Sequence, residues 1–128
     1  MRLQLLPGNL AVCRLGPRDP IPAWAAGDFF SITRTAEEFS IVCDSRAVPD
    51  GVRAETGWRA LKVEGPLDFA LTGILVSIAS PLAATGISIF ALSTFDTDYM
   101  LVKNDKLDSA IDVLRVAGHE VGGVDMVR

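Results

Sequence analysis

The chain predicts an α+β fold, and three observations carry that expectation. In the second half, two segments of helical periodicity are interleaved with four short apolar runs, in the order strand, helix, strand, strand, helix, strand. In the first half, comparable apolar runs are separated only by turn residues. The two halves also echo each other. The order in the second half is the split βαββαβ arrangement: an antiparallel four-stranded sheet with both helices on one face. The other face stays uncovered, so a second sheet or a partner is expected there.

The elements follow from local chemistry. "LAVCRL" (10–15) is a short apolar run and reads as a strand. The stretch after it, "GPRDPIPAWAAG", holds three prolines and two glycines, which leaves room for one helical turn over 23–26. "DFFSIT" (28–33) and "FSIVC" (39–43) read as a hairpin, and 52–56 as a further strand beyond the turn "RAVPDG". "WRALKVE" (58–64) is the next strand. "GPLD" ends it, with Asp68 placed to cap a helix over 69–84. Leu71, Ile74, Leu75, Ile78 and Leu82 share one face of that helix, Pro81 disturbs its last turn and Gly86 follows its end. "ISIFAL" (87–92) and "YMLVK" (99–103) form the second hairpin. A helix over 105–117 carries Leu107, Ile111 and Leu114 on one face, and a last strand covers 120–127. This divides the chain into units 1–57 and 58–128, expected to pack as one compact domain.

Composition narrows the function. The chain has 128 residues, 49% of them apolar, and a net charge of −4, so a cationic nucleic-acid footprint is not expected. Cys13 and Cys43 lie inside apolar strands and outside any C-x-x-C motif, and read as small buried hydrophobes of a reducing cytoplasm. One histidine, His119, reads as a turn residue, and no metal site or cofactor is expected. "MRLQLLPGNLAVC" is too broken for a signal peptide. The uncharged span 69–95 is cut by Pro81 and Thr85-Gly86 into a buried helix and a buried strand, so no membrane span is expected.

The internal echo is carried by "RTAEEFSIVC" and "STFDTDYMLV". Thr35 stands against Thr94 and Glu38 against Asp98, with the first turn one residue shorter; "LAVCRLGP" likewise matches "ALKVEGP". The chain reads as two related units, the first with its helices reduced to turns.

"GPLDF", followed by "GILVSIASPLAATGISIFALSTFDTDYMLVKNDKLDSAIDVL", resembles the ACT-domain proteins of the CASTOR-like branch, among them small bacterial members related to aspartate-kinase regulatory regions. The resemblance is closest from residue 58 to the C-terminus and extends to the whole chain as two tandem ferredoxin-like (ACT) units, the first degenerate. It implies a regulatory module that binds a small molecule, an amino acid, and pairs as a homodimer. In the arginine sensors of this branch the ligand lies between ACT units. It touches the turn that opens the first helix and the hairpin matching "STFDTD". The resemblance carries ligand binding onto Gly65, Asp68 and Phe69 in the turn and onto Thr94, Phe95 and Asp98 in the hairpin. Those sensors have four units where this chain has two. Kinase activity is not implied, because no nucleotide loop or catalytic lysine motif is present.

The residues themselves suit a zwitterion. Amides at a helix start attract a carboxylate, and the aspartates of the hairpin attract an ammonium. Bland readings stand beside this one. Asp68 serves equally as a helix cap, Asp96 as a solvated turn residue, Thr94 as a bond across the turn, and Phe95 as core. Residues 96 and 98 are too close in sequence to flank a substrate as catalytic carboxylates, so no enzyme is expected. The alternative to ligand sensing is a structural or protein-interaction module of the same fold.

Overall fold

The structure is a computed structural model and describes residues 1–65 and 73–123. It is an α+β protein with strands β1 (Arg2–Leu5), β2 (Leu10–Leu15), β3 (Ser31–Arg34), β4 (Phe39–Asp44) and β5 (Arg53–Val63), helix α1 (Ile74–Ala84), strands β6 (Ile89–Ser93) and β7 (Asp98–Lys103), helix α2 (Leu107–Val116) and strand β8 (Glu120–Gly122). The chain divides into two compact units, Gly8–Trp58, and Arg59–Arg128 together with Met1–Pro7.

In Gly8–Trp58 the strands lie in the order β3-β4-β2-β5, and every neighbouring pair is antiparallel. Numbered as they occur in this unit, that is 2-3-1-4, the split βαββαβ sheet without its helices. Alternation in β2 and β4 puts Ala11, Cys13, Phe39, Ile41 and Cys43 into one cluster. Ala25 and Trp24, from the proline-rich loop, pack on this cluster where a helix would otherwise lie. The second helix is reduced to a 3-10 turn, Ser45–Ala47, capped by Asp44, whose Oδ1 accepts the Arg46 N–H at 2.9 Å. The Arg46 guanidinium also grips both carboxylate oxygens, and these bonds hold the Asp44 carboxyl below its usual range.

The sequence suggests two strands separated at Gly57; the structure has one, β5. Leu10 pairs with Trp58 while Val12 pairs with Glu55, so three steps of β5 face two of β2. Gly57, at φ 79°, takes up the extra residue as a bulge and the strand continues through it.

In the other unit the order is β6-β7-β5-β1-β8. This is again 2-3-1-4, with β1 inserted between the first and last strands, antiparallel to β5 and parallel to β8. The sequence reading has no strand before Leu10, because "RLQL" offers only two alternating apolar residues. Those two, Leu3 and Leu5, are almost wholly buried. They join Leu61, Val63, Met100 and Val102 on the sheet face that receives Ile78 and Leu82 from α1 and Leu107, Ala110, Ile111 and Leu114 from α2.

Helix α1 starts later than periodicity suggests. Gly73 is its N-cap at φ 78°, a left-handed conformation that cannot continue a right-handed helix. Gly73 thus holds the capping position expected of Asp68. Asp68, Phe69 and Leu71 lie outside the described residues. Leu75, expected in the core, is 40% exposed. His119 is not a surface turn residue but is buried, with its Nε2 2.9 Å from the Ser77 carbonyl and its Nδ1 3.0 Å from the Met1 amino group.

Candidate functional site

The hairpin β6–β7 begins with Ser93 opposite Asp98, and the hairpin β3–β4 with Arg34 opposite Phe39. The two connecting turns are therefore equal in length, not one residue different. Both are closed by the same threonine device. The Thr94 N–H donates to the Thr97 carbonyl at 2.8 Å, and the Thr35 N–H donates to the Glu38 carbonyl at 2.8 Å. The Thr94 hydroxyl accepts the Thr97 N–H at 3.3 Å, as the Thr35 hydroxyl accepts the Glu38 N–H at 3.0 Å. Glu38 thus occupies the place of Thr97, and Phe39 that of Asp98. The pairing of Thr35 with Thr94 stands; that of Glu38 with Asp98 does not.

Of the residues expected to bind ligand, the structure brings Gly65 to the turn of this hairpin. A cavity of about 240 Å³ is lined by Lys62, Gly65, Asp96 and Thr97. The Thr97 side chain is buried and its hydroxyl donates to the Val63 carbonyl, which ties the turn to the end of β5. Thr94 spends its hydroxyl within the turn, also donating to the Thr97 carbonyl at 3.2 Å. Phe95 is 79% exposed, so it is not a core residue. Asp98 is half-buried on β7, and its Oδ1 accepts the Ser93 hydroxyl at 2.6 Å.

Sequence reasoning missed Lys62 and Thr97, and set Asp96 aside as turn chemistry. The signal for Lys62 was alternation: between buried Leu61 and buried Val63, its side chain must leave the sheet on the other face. Thr97 carried no local signal, since its hydroxyl partner lies 34 residues away. The cavity is lined by one residue that carries an ammonium and one that carries a carboxylate, which suits a small ligand bearing both charges. Among the described residues, no group of three or more His, Cys, Asp or Glu is placed to hold a metal ion.

The cysteines are a separate matter. Cys13 and Cys43 are buried and free. Burial, reinforced by the neighbouring Cys43, pushes the Cys13 thiol up to about 11, and burial raises Cys43 as well. Thiols held protonated in this way pack as apolar groups. No helix among the described residues is long and apolar enough to cross a membrane.

Comparison with known proteins bears on the family and the fold. A family model described as an ACT domain matches residues 53–116, and a second model, for an N-terminal domain, matches residues 8–51. The mouse cytosolic arginine sensor for mTORC1 subunit 1 is 36% identical over 95 residues, which cover 68% of this chain but 29% of that protein. A crystal structure of a protein from Agobacterium tumefaciens is 45% identical, with a TM-score of 0.90, and the match covers 94% of this chain and 91% of that one. The ligand-free regulatory subunit of aspartate kinase from Thermus thermophilus shares the fold at 12% identity and a TM-score of 0.63, over 91% of this chain and 97% of that one. With the ACT-domain model spanning β5, both helices and the β6–β7 hairpin that frames the cavity, this chain belongs to the ACT-domain family.

Proposed function

We propose that this chain is a regulatory module that binds a small zwitterion, an amino acid, and catalyses no reaction on it. One observation carries the reading: Lys62 and Asp96 line the same cavity, beside Gly65 and Thr97. The Lys62 ammonium suits a ligand carboxylate and the Asp96 carboxylate suits its ammonium. Each charge-assisted hydrogen bond contributes roughly 1.5–3 kcal/mol. Asp98, Thr94, Phe95, Asp68 and Phe69 remain candidates for the same ligand. The named function of the curated relative, a cytosolic arginine sensor, supports an amino acid and a cytoplasmic setting. The N-cap of α1 is Gly73, and Asp68 and Phe69 lie outside the described residues. We extend the proposal to a homodimer.

The experiment is a panel of amino acids added singly while thermal unfolding is followed. A ligand at 100 times its dissociation constant stabilises the folded chain by about 2.7 kcal/mol. The expected result is a shift with one chemical class of amino acid that Asp96→Asn and Asp98→Ala each weaken. A response surviving both changes would falsify the site, and silence across the panel favours the second reading, a protein-interaction module. That second reading draws on exposed Phe95 and on Leu75 and Val76 of α1. Light scattering across a concentration series tests the dimer.

A further inference from the structure

In the unit Gly8–Trp58 the guanidinium of Arg34, an exposed residue, has three partners. Arg34 closes β3, directly opposite Phe39 on β4. Its Nη1 donates to the Pro17 carbonyl and its Nη2 to the Asp19 carbonyl, both at 2.6 Å. Its guanidinium carbon stands 4.1 Å from the centroid of the Phe39 ring. Two carbonyls and an aromatic face meet the two features that distinguish guanidinium from ammonium, a planar fork of donors and a flat cationic surface.

The receiving turn is built independently of Arg34. The Asp19 N–H donates to the Gly16 carbonyl at 3.0 Å, and the Gly16 N–H donates to Asp19 Oδ2 at 2.8 Å. A Cβ on Gly16 would stand 3.0 Å from that carboxylate, so the Asp19 side chain would have to give by a few tenths of an ångström. Closed on itself in this way, "GPRD" presents the Pro17 and Asp19 carbonyls as a fixed pair of acceptors.

The second unit sharpens the point. The run "LKVEGP", ending at Pro66, matches "CRLGP", ending at Pro17, and the hairpin registers set Ser93 at the place of Arg34 and Asp98 at the place of Phe39. One unit has a long cation over an aromatic ring. The other has a short hydroxyl beside a carboxylate, with Ser93 donating to Asp98.

We propose that the Gly16–Pro17–Arg18–Asp19 turn and the Phe39 ring form a guanidinium site that Arg34 fills as a tethered ligand. Tethering keeps the local concentration of the guanidinium in the millimolar range or above, so a free ligand of ordinary affinity does not displace it. The unit is thereby closed to ligand. Removing the Arg34 side chain opens the site to a free monoalkylguanidinium ion. The inference does not depend on amino-acid binding by the other unit.

Chemical rescue tests it. Methylguanidinium, methylammonium and sodium chloride are each titrated, at millimolar concentration and matched ionic strength, into the wild type and into Arg34→Ala. Backbone resonances of Gly16 to Asp19 and the ring resonances of Phe39 are followed by NMR, together with the thermal midpoint. In Arg34→Ala, methylguanidinium is expected to shift these resonances saturably and to recover part of the lost midpoint, with methylammonium and salt leaving both unmoved. The same resonances stay still in the wild type. Arg34→Gln keeps the aliphatic stem over Phe39 and serves if the alanine variant unfolds. No saturable shift in a folded variant overturns the proposal, as does an equal response to methylammonium. A shift of the wild-type resonances at the same concentrations overturns the tethered occupancy.

Discussion

Thr97 is the residue on which the candidate site turns. Its hydroxyl reaches the Val63 carbonyl, and the residue is only 7% exposed. Thr97→Val keeps the shape and removes the donor, leaving the carbonyl without that partner. A loss of about 1–3 kcal/mol is expected in urea unfolding. The amino-acid response should weaken with it, because the turn that presents Asp96 is no longer tied to β5. No loss of stability would mean that the bond is replaced by water. Asp96 and Asp98 differ for a comparable reason. Asp98 shares its carboxylate with Ser93 on the strand, whereas Asp96 stands in the turn and lines the cavity. The family resemblance points to Asp98, and the cavity lining adds Asp96 as a candidate beside it.

At the scale of elements, β5 has the largest departure from local expectation. Gly57 reads as a break, and is instead a bulge inside one strand of eleven residues. A Cβ at Gly57 would meet nothing within 4 Å, so the effect of Gly57→Ala isolates the backbone conformation. At φ 79° a non-glycine residue costs about 1–2 kcal/mol, and denaturant titration should show a loss of that size without a change in cavity-lining contacts. An unchanged midpoint would mean that the bulge shifts to another residue. Helix α1 teaches a similar lesson. Its apolar periodicity is real, since Ile78 and Leu82 are buried, yet its start is set by Gly73, which periodicity does not weigh. The α2 helix is simpler: Leu107, Ile111 and Leu114 are all buried as their spacing predicts.

At the scale of the molecule, both units carry the same 2-3-1-4 strand order, and the first keeps it with its helices replaced by a proline-rich loop and a 3-10 turn. The N-terminal strand belongs with Arg59–Arg128, pairing with β5 and β8. Leu5 is 1% exposed there, so Leu5→Ala should destabilise Arg59–Arg128 by about 2–5 kcal/mol, read from hydrogen exchange of α2 and β7. Protection lost only in Gly8–Trp58 would contradict the assignment of β1. A ligand that binds only the folded chain raises the stability of the whole unit that holds its site.

The sequence by itself determined the α+β class, the split strand order, both helices, both hairpins and the family resemblance. Those features rest on local periodicity and turn chemistry, which each segment carries within itself. It also brought Gly65 and the hairpin turn together as one candidate site. Tertiary structure alone decided that Leu3 and Leu5 form a strand, that Lys62 and Asp96 line one cavity, and that Arg34 grips "GPRD". Each depends on groups far apart in the chain: β1 has too few apolar residues to announce itself and is held by β5 from mid-chain and β8 from near the other end. Arg34 reaches carbonyls 15 and 17 residues away, and Thr97 a carbonyl 34 residues away. Such partners leave no periodic trace, because a hydrogen bond is set by where the folded backbone brings a donor and not by its spacing along the chain.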